Sequence, residues 1–447
     1  MCVCVCVCVV CVCVERPKTR TEEGLIRVII NMLHRDSSSC WNAADRAFGN
    51  ERSKVTKAGG LTGPVSVYRA AAATTCGTSR FCARPHAVFA ALAIAPALFS
   101  APPAWPPAPS SPLRVATHAS WSNARNTMAH LWLLSRVFHA ATGRVLVPVE
   151  PFWLPDWMQQ PIADVILFGP YTESPRARAA AARFRRSALT LFFASEFVMG
   201  ENNGYGDMMV PDVAVSLGHR RDIDAENYLR MPWWLPDVLD PDAEGLEILP
   251  ALIQPGPAPE EWRARSGFAA LLASHASFPR PELFALMTRL GGLVRAPGRA
   301  FHNWEWPADL HDQGNTPNEG GGKVAFLKDV RFTICPENSR SPSGGYATEK
   351  LVHAMLAGTV PVYWGDAAIA DASFFNFDRI LLFDGASNRS IVETVRRLED
   401  DAAFRSKYLA QPLLAPTARE WLRNWTAAAV KLVAAAHRRS GVYEGRP

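Results

Sequence analysis

The chain has 447 residues, of which 48% are hydrophobic; this exceeds the needs of one ordinary domain and predicts two cores. Its formal net charge of +5 is spread along the sequence, which excludes the strong basic balance of a nucleic-acid-binding protein. Six of the ten cysteines lie in a Cys-Val tract at the start, and Cys335 alone follows Cys82. The region after Cys82 therefore has no internal disulfide and depends on core packing.

The N-terminal part carries no pattern of catalytic chemistry. Residues 1–85 are predicted to be a low-complexity, poorly ordered extension, because the Cys-Val repeat is followed by a polar stretch without periodicity. Residues 86–101 are predicted to be a signal anchor with the remainder of the chain on the lumenal side, because Ala87 to Ala101 carry no charge and follow Arg80 and Arg84. The segment is short for a membrane span, so a cleaved signal peptide or a buried helix is an alternative. Residues 102–115 are predicted to be a proline-rich stem.

From residue 116 the sequence alternates β-rich and helical stretches, which predicts an α/β protein with parallel sheets. An N-terminal lobe is expected over 116–235 and a second lobe over 263–415, separated by a proline- and acid-rich linker at 236–262. A helix within 416–447 is predicted to close the second lobe. Ligands are expected in the cleft between the lobes.

The densest motif is FTICPENSRSPSGGYATEKLVHAMLAGTVPVYWG, residues 332–365, which predicts a strand, a glycine-containing loop, a helix from near Thr348 and a second strand. A loop that delivers the chain onto a helix N-terminus presents free N–H groups, which suits a phosphate. Lys350 adds a full positive charge there. It is equally an ordinary surface lysine satisfied by Glu349 or by solvent, and the pattern alone leaves both open.

The residues ENS, YATEKL and AGTVPVYWG in this motif resemble the signature of glycosyltransferase family 10, the α-1,3/4-fucosyltransferases. The resemblance implies two Rossmann-like lobes of GT-B type, with GDP-fucose bound in the C-terminal lobe. It places Lys350 against the diphosphate, Glu349 toward the ribose, and Tyr346 and Asn338 around the donor pocket. The family commonly has Phe where this chain has Pro336, and the lost N–H predicts a local backbone change with an intact site.

Two further segments carry the resemblance. Residues 271–287 match the family segment with a donor-binding arginine, here Arg280, although a structural arginine that caps carbonyls is the alternative. FVMGEN matches a strand-end Gly-Glu-Asn and places Glu201 as the general base, with Glu196 as the competing carboxylate and a turn-capping role as the alternative.

Trp233 and Trp234 lie in YLRMPWW, which also resembles the family. They are candidate acceptor contacts because aromatic faces pack on sugars, although tryptophans at such positions are more often core residues. The sequence shows no cluster of metal ligands, and the basic residues make a metal dispensable for stabilising the leaving group.

The resemblance therefore implies an inverting fucosyltransferase that needs no cofactor. It transfers fucose from GDP-fucose to a hydroxyl of an acceptor glycan on a glycoprotein or glycolipid, with an α-1,3 linkage to GlcNAc as the expected product. Together with the predicted anchor it implies a single-pass, type II protein of the Golgi membrane. The alternatives are use of another GDP-sugar, such as GDP-mannose, or a catalytically silent glycan-binding homologue. The sequence does not fix the oligomeric state.

Overall fold

The computed structural model describes residues 3–7, 10–14, 111–118, 124–149, 163–194, 196–197, 204–307, 310, 322–340, 344–385 and 388–440. The chain separates into two compact units, Met1–Leu98 and Phe99–Pro447. In the first unit the Cys-Val tract forms an antiparallel hairpin of β1 (Val3–Val7) and β2 (Val10–Val14). The alternating β-branched residues favour this extended backbone.

The second unit contains two parallel sheets, of which the first has six strands in the order β4-β3-β5-β6-β7-β8. Its strands are β3 (Leu113–His118), β4 (Leu146–Pro148), β5 (Val165–Phe168), β6 (Leu189–Phe193), β7 (Val215–Gly218) and β8 (Tyr228–Arg230). Helices α1 (Ala124–Thr142) and α2 (Ser174–Phe184) connect strands of this sheet. The central strands are continuous apolar runs, as expected where both faces of a parallel sheet are buried.

The predicted linker folds into short helical turns. A 3-10 turn (Leu235–Val238) is followed by α3 (Pro250–Ile253) and α4 (Pro259–Ala264). Both short helices begin at a proline, whose fixed φ and missing N–H suit the first helical position. The chain thus passes from one sheet to the other through proline-initiated turns.

The second sheet has five parallel strands in the order β10-β9-β11-β12-β13. They are β9 (Gly267–Leu271), β10 (Val294–Arg295), β11 (Val330–Pro336), β12 (Val360–Trp364) and β13 (Leu381–Leu382). The helices around this sheet are α5 (Arg280–Gly291), α6 (Gly322–Leu327), α7 (Lys350–Leu356), α8 (Ala367–Ala370), α9 (Arg389–Asp400) and α10 (Ala402–Leu409). The predicted α/β architecture with two parallel sheets is confirmed.

The last helix, α11 (Ala418–Ser440), packs mainly on α1 and on strands of the first sheet, whereas it was predicted to close the second lobe. Its Trp421 also meets Phe374 of the second lobe edge-on at 5.2 Å. Leu422, Trp425 and Ala429 form part of its buried stripe, and the indole Nε1 of Trp425 donates to the Arg230 carbonyl oxygen at 2.9 Å. The stripe predicts an amphipathic helix but does not say which sheet the helix covers.

Pro336 causes no break in β11, contrary to the expected backbone change. It pairs with Trp364 of β12, and the N–H of Glu337 continues the ladder by donating to the Trp364 carbonyl at 2.8 Å. Successive residues of a strand direct their N–H groups to opposite neighbours, so the nitrogen of Pro336 faces the β9 side. The β9 ladder already ends at Ile334. The missing N–H therefore costs no ladder bond.

Among the described residues, no helix combines the length and the hydrophobicity needed to cross a membrane. This finding contradicts the prediction of a single-pass, type II Golgi membrane protein attached through its N-terminal segment. The predicted signal anchor itself, 86–101, lies outside the described residues.

Candidate active site

Polar side chains collect where the strands of the two sheets end, and one apolar core cluster continues from the first lobe into the second. Glu196, His219 and Arg230 follow or end β6, β7 and β8 of the first sheet. Glu337 follows β11 of the second sheet. Because carboxyl ends of parallel strands share one edge of a sheet, this edge is the expected place for a ligand.

Glu337 organises the loop that leads into α7. It is 0% exposed, and its carboxylate accepts hydrogen bonds from the backbone N–H of Thr348 at 2.8 Å and from the Thr348 hydroxyl at 2.7 Å. The hydroxyl of Tyr363 adds a third donor at 3.4 Å. Burial raises the pKa of Glu337, while Lys350 and the bonds from Thr348 act in the opposite direction. A carboxylate in this position requires a cation beside it.

Lys350 supplies that cation. Its Nζ lies 3.4 Å from Oε2 of Glu337 and donates to the Thr348 hydroxyl at 2.8 Å. Burial by itself would lower the pKa of Lys350, but the neighbouring Glu349 and Glu337 outweigh it and the pKa is raised. The side chain keeps 24% of its surface accessible. Lys350 is therefore a fixed cation with a solvent-facing side, and Glu337, which the sequence analysis did not single out, holds it.

Glu349 occupies the N-terminal capping position of α7 and lies 3.5 Å from the ammonium group of Lys323 on α6. Burial would raise its pKa, but Lys350 and Lys323 overcome this effect and hold the pKa well below its usual range. Glu349 is thus an ionised acceptor, as a contact to ribose hydroxyls would require.

Arg280 and Asn338 lie together, as the resemblance implies for two donor-binding residues. Arg280 is the first residue of α5 and is 4% exposed; its guanidinium donates to Oδ1 of Asn338 at 2.8 Å and to the Ser277 hydroxyl. Burial lowers the pKa of Arg280, and the nearby Glu337 and Tyr346 oppose the shift. Arginine stays protonated in proteins, so a second cation lies near Lys350 and Glu337.

Tyr346 joins the two lobes. Its hydroxyl donates to Oε2 of Glu196 at 3.1 Å, and its ring makes edge contacts with Phe197 and His219 at centroid distances of 5.4 Å. Burial raises the pKa of Tyr346, so the phenol is neutral and a donor. Glu196, the competing base candidate, is therefore engaged by a residue of the donor motif.

Gly345 allows this approach of the lobes. Its φ of +138° is in the region that favours glycine, and an added Cβ would lie 2.2 Å from the carbonyl oxygen of His219. The Gly345 carbonyl accepts a hydrogen bond from the guanidinium of Arg230 at 2.9 Å. No side chain fits between the motif loop and the end of β7.

A buried ion pair, absent from the sequence predictions, also links the lobes. Arg230 donates to both carboxylate oxygens of Asp371, at 2.7 and 3.0 Å, and Asp371 is 0% exposed. The indole Nε1 of Trp234 donates to the same carboxylate at 3.1 Å. No local sequence signal connects residues 141 positions apart.

The two tryptophans of YLRMPWW differ in their surroundings. Trp234 is 0% exposed and packs on Phe374, Phe375 and Trp421, so it has no free ring face, and its interpretation as an acceptor contact is corrected to a core residue. Trp233 is partly buried and stacks on Phe193 with a centroid distance of 5.5 Å. Its role as an acceptor contact stays a prediction.

The structure thus brings Arg280 together with Asn338, and places Lys350 and Glu349 at the start of α7, along one edge of the second sheet. Tyr346 lies just before α7 and contacts the first lobe. Glu201, the predicted general base, lies outside the described residues. Within the described part of the chain, no group of three or more His, Cys, Asp or Glu residues is arranged to hold a metal ion. The arrangement is two cations, Lys350 held by the buried Glu337 and Arg280 held by Asn338, beside an ionised carboxylate, which suits a nucleoside diphosphate.

Comparison with known proteins supports the resemblance seen in the motifs. The chain is 34% identical over 86 residues to the α-(1,3)-fucosyltransferase FucT of Helicobacter pylori, which covers 16% of this chain and 18% of that protein. It is 26% identical over 171 residues to GDP-fucose protein O-fucosyltransferase 3 of Canis lupus familiaris, covering 37% of this chain and 34% of that protein. The chain therefore spans about a fifth to a third of the length of these curated relatives.

No protein-family model matches this chain. A crystal structure of an α1,3-fucosyltransferase superposes with a TM-score of 0.49 and 18% sequence identity, covering 73% of this chain and 92% of that chain. The matches to curated sequences are local and concern fucosyltransferases. Over those segments this chain is similar to the fucosyltransferases, which confirms the resemblance to the α-1,3-fucosyltransferases predicted from its motifs.

Proposed function

We propose that this protein is an inverting fucosyltransferase, which transfers fucose from GDP-fucose to a hydroxyl group of an acceptor glycan. The observation that carries the proposal is the fixed ammonium group of Lys350, held 3.4 Å from the fully buried Glu337 beside the Arg280–Asn338 pair. Two curated relatives whose names specify fucose transfer, one from GDP-fucose, support the choice of sugar and nucleotide.

The cations stabilise the leaving group. As the bond between the anomeric carbon and the diphosphate oxygen breaks, negative charge grows on GDP, and charged donors fixed in advance stabilise it without reorganisation. Arg280 suits this role because its guanidinium is planar and held by Asn338, and Lys350 because its raised pKa keeps it charged at physiological pH. Arg280 and Lys350 would thereby do the work that a metal does in other transferases.

Inversion requires a carboxylate on the opposite side of the sugar. It accepts the proton of the acceptor hydroxyl while the oxygen attacks the anomeric carbon and GDP departs. We assign this role to Glu201, which follows β6 in the sequence and lies in the segment FVMGEN that resembles the strand-end Gly-Glu-Asn of the family. Glu196 is the competing carboxylate, and its bond from Tyr346 makes it a less available proton acceptor.

The remaining donor-pocket roles follow the chemistry of the side chains. Glu349 is ionised and suits the ribose hydroxyls, while Asn338 and Tyr346 shape the pocket. Because Tyr346 contacts Phe197 and His219 of the first lobe, it lies on the boundary between donor and acceptor. The transferred sugar would sit beside this ring.

The expected acceptor is a GlcNAc residue of a glycan, fucosylated in α-1,3 linkage. A second candidate acceptor is a protein hydroxyl, because a relative that matches over 171 residues is named as a protein O-fucosyltransferase. Two alternatives remain for an assay to separate from fucose transfer. The donor is another GDP-sugar, or the protein binds glycans without catalysing a transfer.

The test is GDP release by the full chain with GDP-fucose or GDP-mannose, using N-acetyllactosamine, chitobiose-core glycans and folded Ser/Thr-containing domains as acceptors. We expect turnover of GDP-fucose with a glycan acceptor, and loss of turnover in Lys350→Ala and Glu201→Gln. Lys328→Ala, which removes an exposed lysine near the start of β11, is the matched control and should retain activity. Greater loss in Glu196→Gln than in Glu201→Gln would reassign the base, and binding of glycan without GDP release would refute the enzyme assignment.

A further inference from the structure

His219 is a buried polar residue that the proposed chemistry does not use. It follows β7 at the carboxyl edge of the first sheet and is 3% exposed. Among the described residues, neither Nδ1 nor Nε2 of its ring has a hydrogen-bond partner. Buried polar groups are nearly always paired, so a buried imidazole with two unsatisfied nitrogens requires an explanation.

The ring of His219 belongs to an aromatic cluster with Phe197 and Tyr346. It stacks on Phe197 with a centroid distance of 5.7 Å and an interplanar angle of 18°, and meets Tyr346 edge-on at 5.4 Å and 79°. Tyr346 is bonded to Glu196, the strand-end carboxylate of β6. The unsatisfied nitrogens therefore lie where the motif of the second lobe meets the strand ends of the first.

The chemistry of the imidazole restricts its partner. Burial, together with the positive charges of Arg230 and Arg220, lowers the pKa of His219 to about 4 and outweighs the opposing Asp222. The ring is then neutral at physiological pH, with one N–H donor and one acceptor nitrogen. A sugar hydroxyl both donates and accepts, and aromatic rings beside it suit the C–H face of a pyranose. A phosphate, which only accepts, would satisfy one nitrogen at most.

We propose that His219 is a specificity-determining residue that hydrogen-bonds a sugar hydroxyl at the boundary between the two lobes. The inference rests on the proposed function and adds a polar contact on the acceptor-side lobe. The hydroxyl belongs either to the fucose being transferred or to the acceptor sugar, and both present the same chemistry. His219 selects substrates because a sugar without that hydroxyl leaves the buried nitrogens unpaired.

The experiment compares His219→Phe, which keeps an aromatic ring and removes both nitrogens, with His219→Gln, which keeps one donor and one acceptor. In the full chain, KM and kcat are measured for GDP-fucose and for the acceptor, together with GDP-fucose hydrolysis without acceptor, the Kd for GDP and the Tm. We expect His219→Phe to lower kcat/KM about tenfold, the loss of one or two neutral hydrogen bonds, with unchanged GDP affinity. His219→Gln should recover part of the loss.

The two sources of the hydroxyl give different results. A change in KM for GDP-fucose and in its hydrolysis identifies the transferred sugar, whereas a change in KM for the acceptor alone identifies the acceptor. Two results would overturn the inference while leaving the proposed function intact. The first is wild-type kinetics in His219→Phe. The second is an equal loss of kcat/KM in His219→Phe and His219→Gln, accompanied by lowered GDP affinity and Tm. A wild-type chain that releases no GDP overturns the proposed function, and the inference with it.

Discussion

The neutral, buried state of His219 makes a quantitative prediction for stability against pH. Burial lowers its pKa to about 4 in the folded protein, whereas an unfolded histidine titrates near 6.5. Between these values the unfolded chain binds more protons than the folded one, so the contribution of this group falls as the pH drops from 6.5 toward 4. The contribution is complete above pH 6.5.

Linkage then gives the size of the effect. For pKa values of about 4 and 6.5, this group costs the folded state roughly 2 kcal/mol at pH 5 and only a small fraction of that at pH 7. Titrating groups that do not interact with His219 change stability in the same way in wild type and in a single variant. The free energy of unfolding should therefore drop by about 2 kcal/mol less in His219→Phe than in wild type between pH 7 and pH 5.

Urea unfolding of wild type and His219→Phe at pH 7 and pH 5 measures how much the free energy of unfolding of each protein changes with pH. His302→Phe is the matched control, because 50% of the His302 side chain is exposed, and it should follow the wild-type pH dependence. An identical loss of stability in His219→Phe and wild type would show that the imidazole protonates freely in the folded protein. The neutral donor–acceptor role of His219 would then be wrong.

Three further substitutions test the contacts around the site. Glu337→Gln removes the anionic partner of Lys350 and so breaks a buried ion pair. We expect the free energy of unfolding to fall by roughly 2–4 kcal/mol and calorimetry to show weaker binding of GDP. Unchanged values would contradict the role of Glu337 in holding Lys350. Asp371→Asn leaves Arg230 without its carboxylate partner and should lower the Tm. In a protein that already carries Arg230→Met, Asp371→Asn should have no further effect on the Tm. Additive effects of the two substitutions would rule out an interaction between Arg230 and Asp371. Gly345→Ala places a methyl group 2.2 Å from the carbonyl oxygen of His219 in the first lobe. Activity should therefore fall even where the variant folds. Wild-type activity would show that catalysis does not need this close approach of the lobes.

Much of the fold is encoded locally. Apolar runs of strand length separated by helical stretches predict parallel sheets, and the structure has two of them. The motif from 332 to 365 predicts strand, loop, helix and strand in the order in which β11, α7 and β12 occur. Glu337 was within reach of the same reasoning, because it stands next to Asn338 in the motif, and a buried partner for Lys350 was to be expected.

Other features have no local signal. Arg230 and Asp371 lie 141 residues apart, and their pairing depends on how the lobes meet. The stripe of α11 could cover either sheet, and only packing shows that it covers the first. From the sequence, Trp234 is either an acceptor contact or a core residue, and only its neighbours Phe374 and Trp421 identify it as core.

The sequence by itself therefore determined the order of strands and helices, and the motif at 332–365 with its resemblance to fucosyltransferases, because each depends on residues close together in the chain. The tertiary structure decided which charges are paired, which aromatic residues are core and which nitrogens remain unsatisfied. Those properties depend on burial and on distances between residues far apart in sequence. His219 shows the difference. In the sequence it is an ordinary histidine after a strand, and only the packing of Gly345 and Tyr346 against it makes it a buried polar group with no hydrogen-bond partner among the described residues.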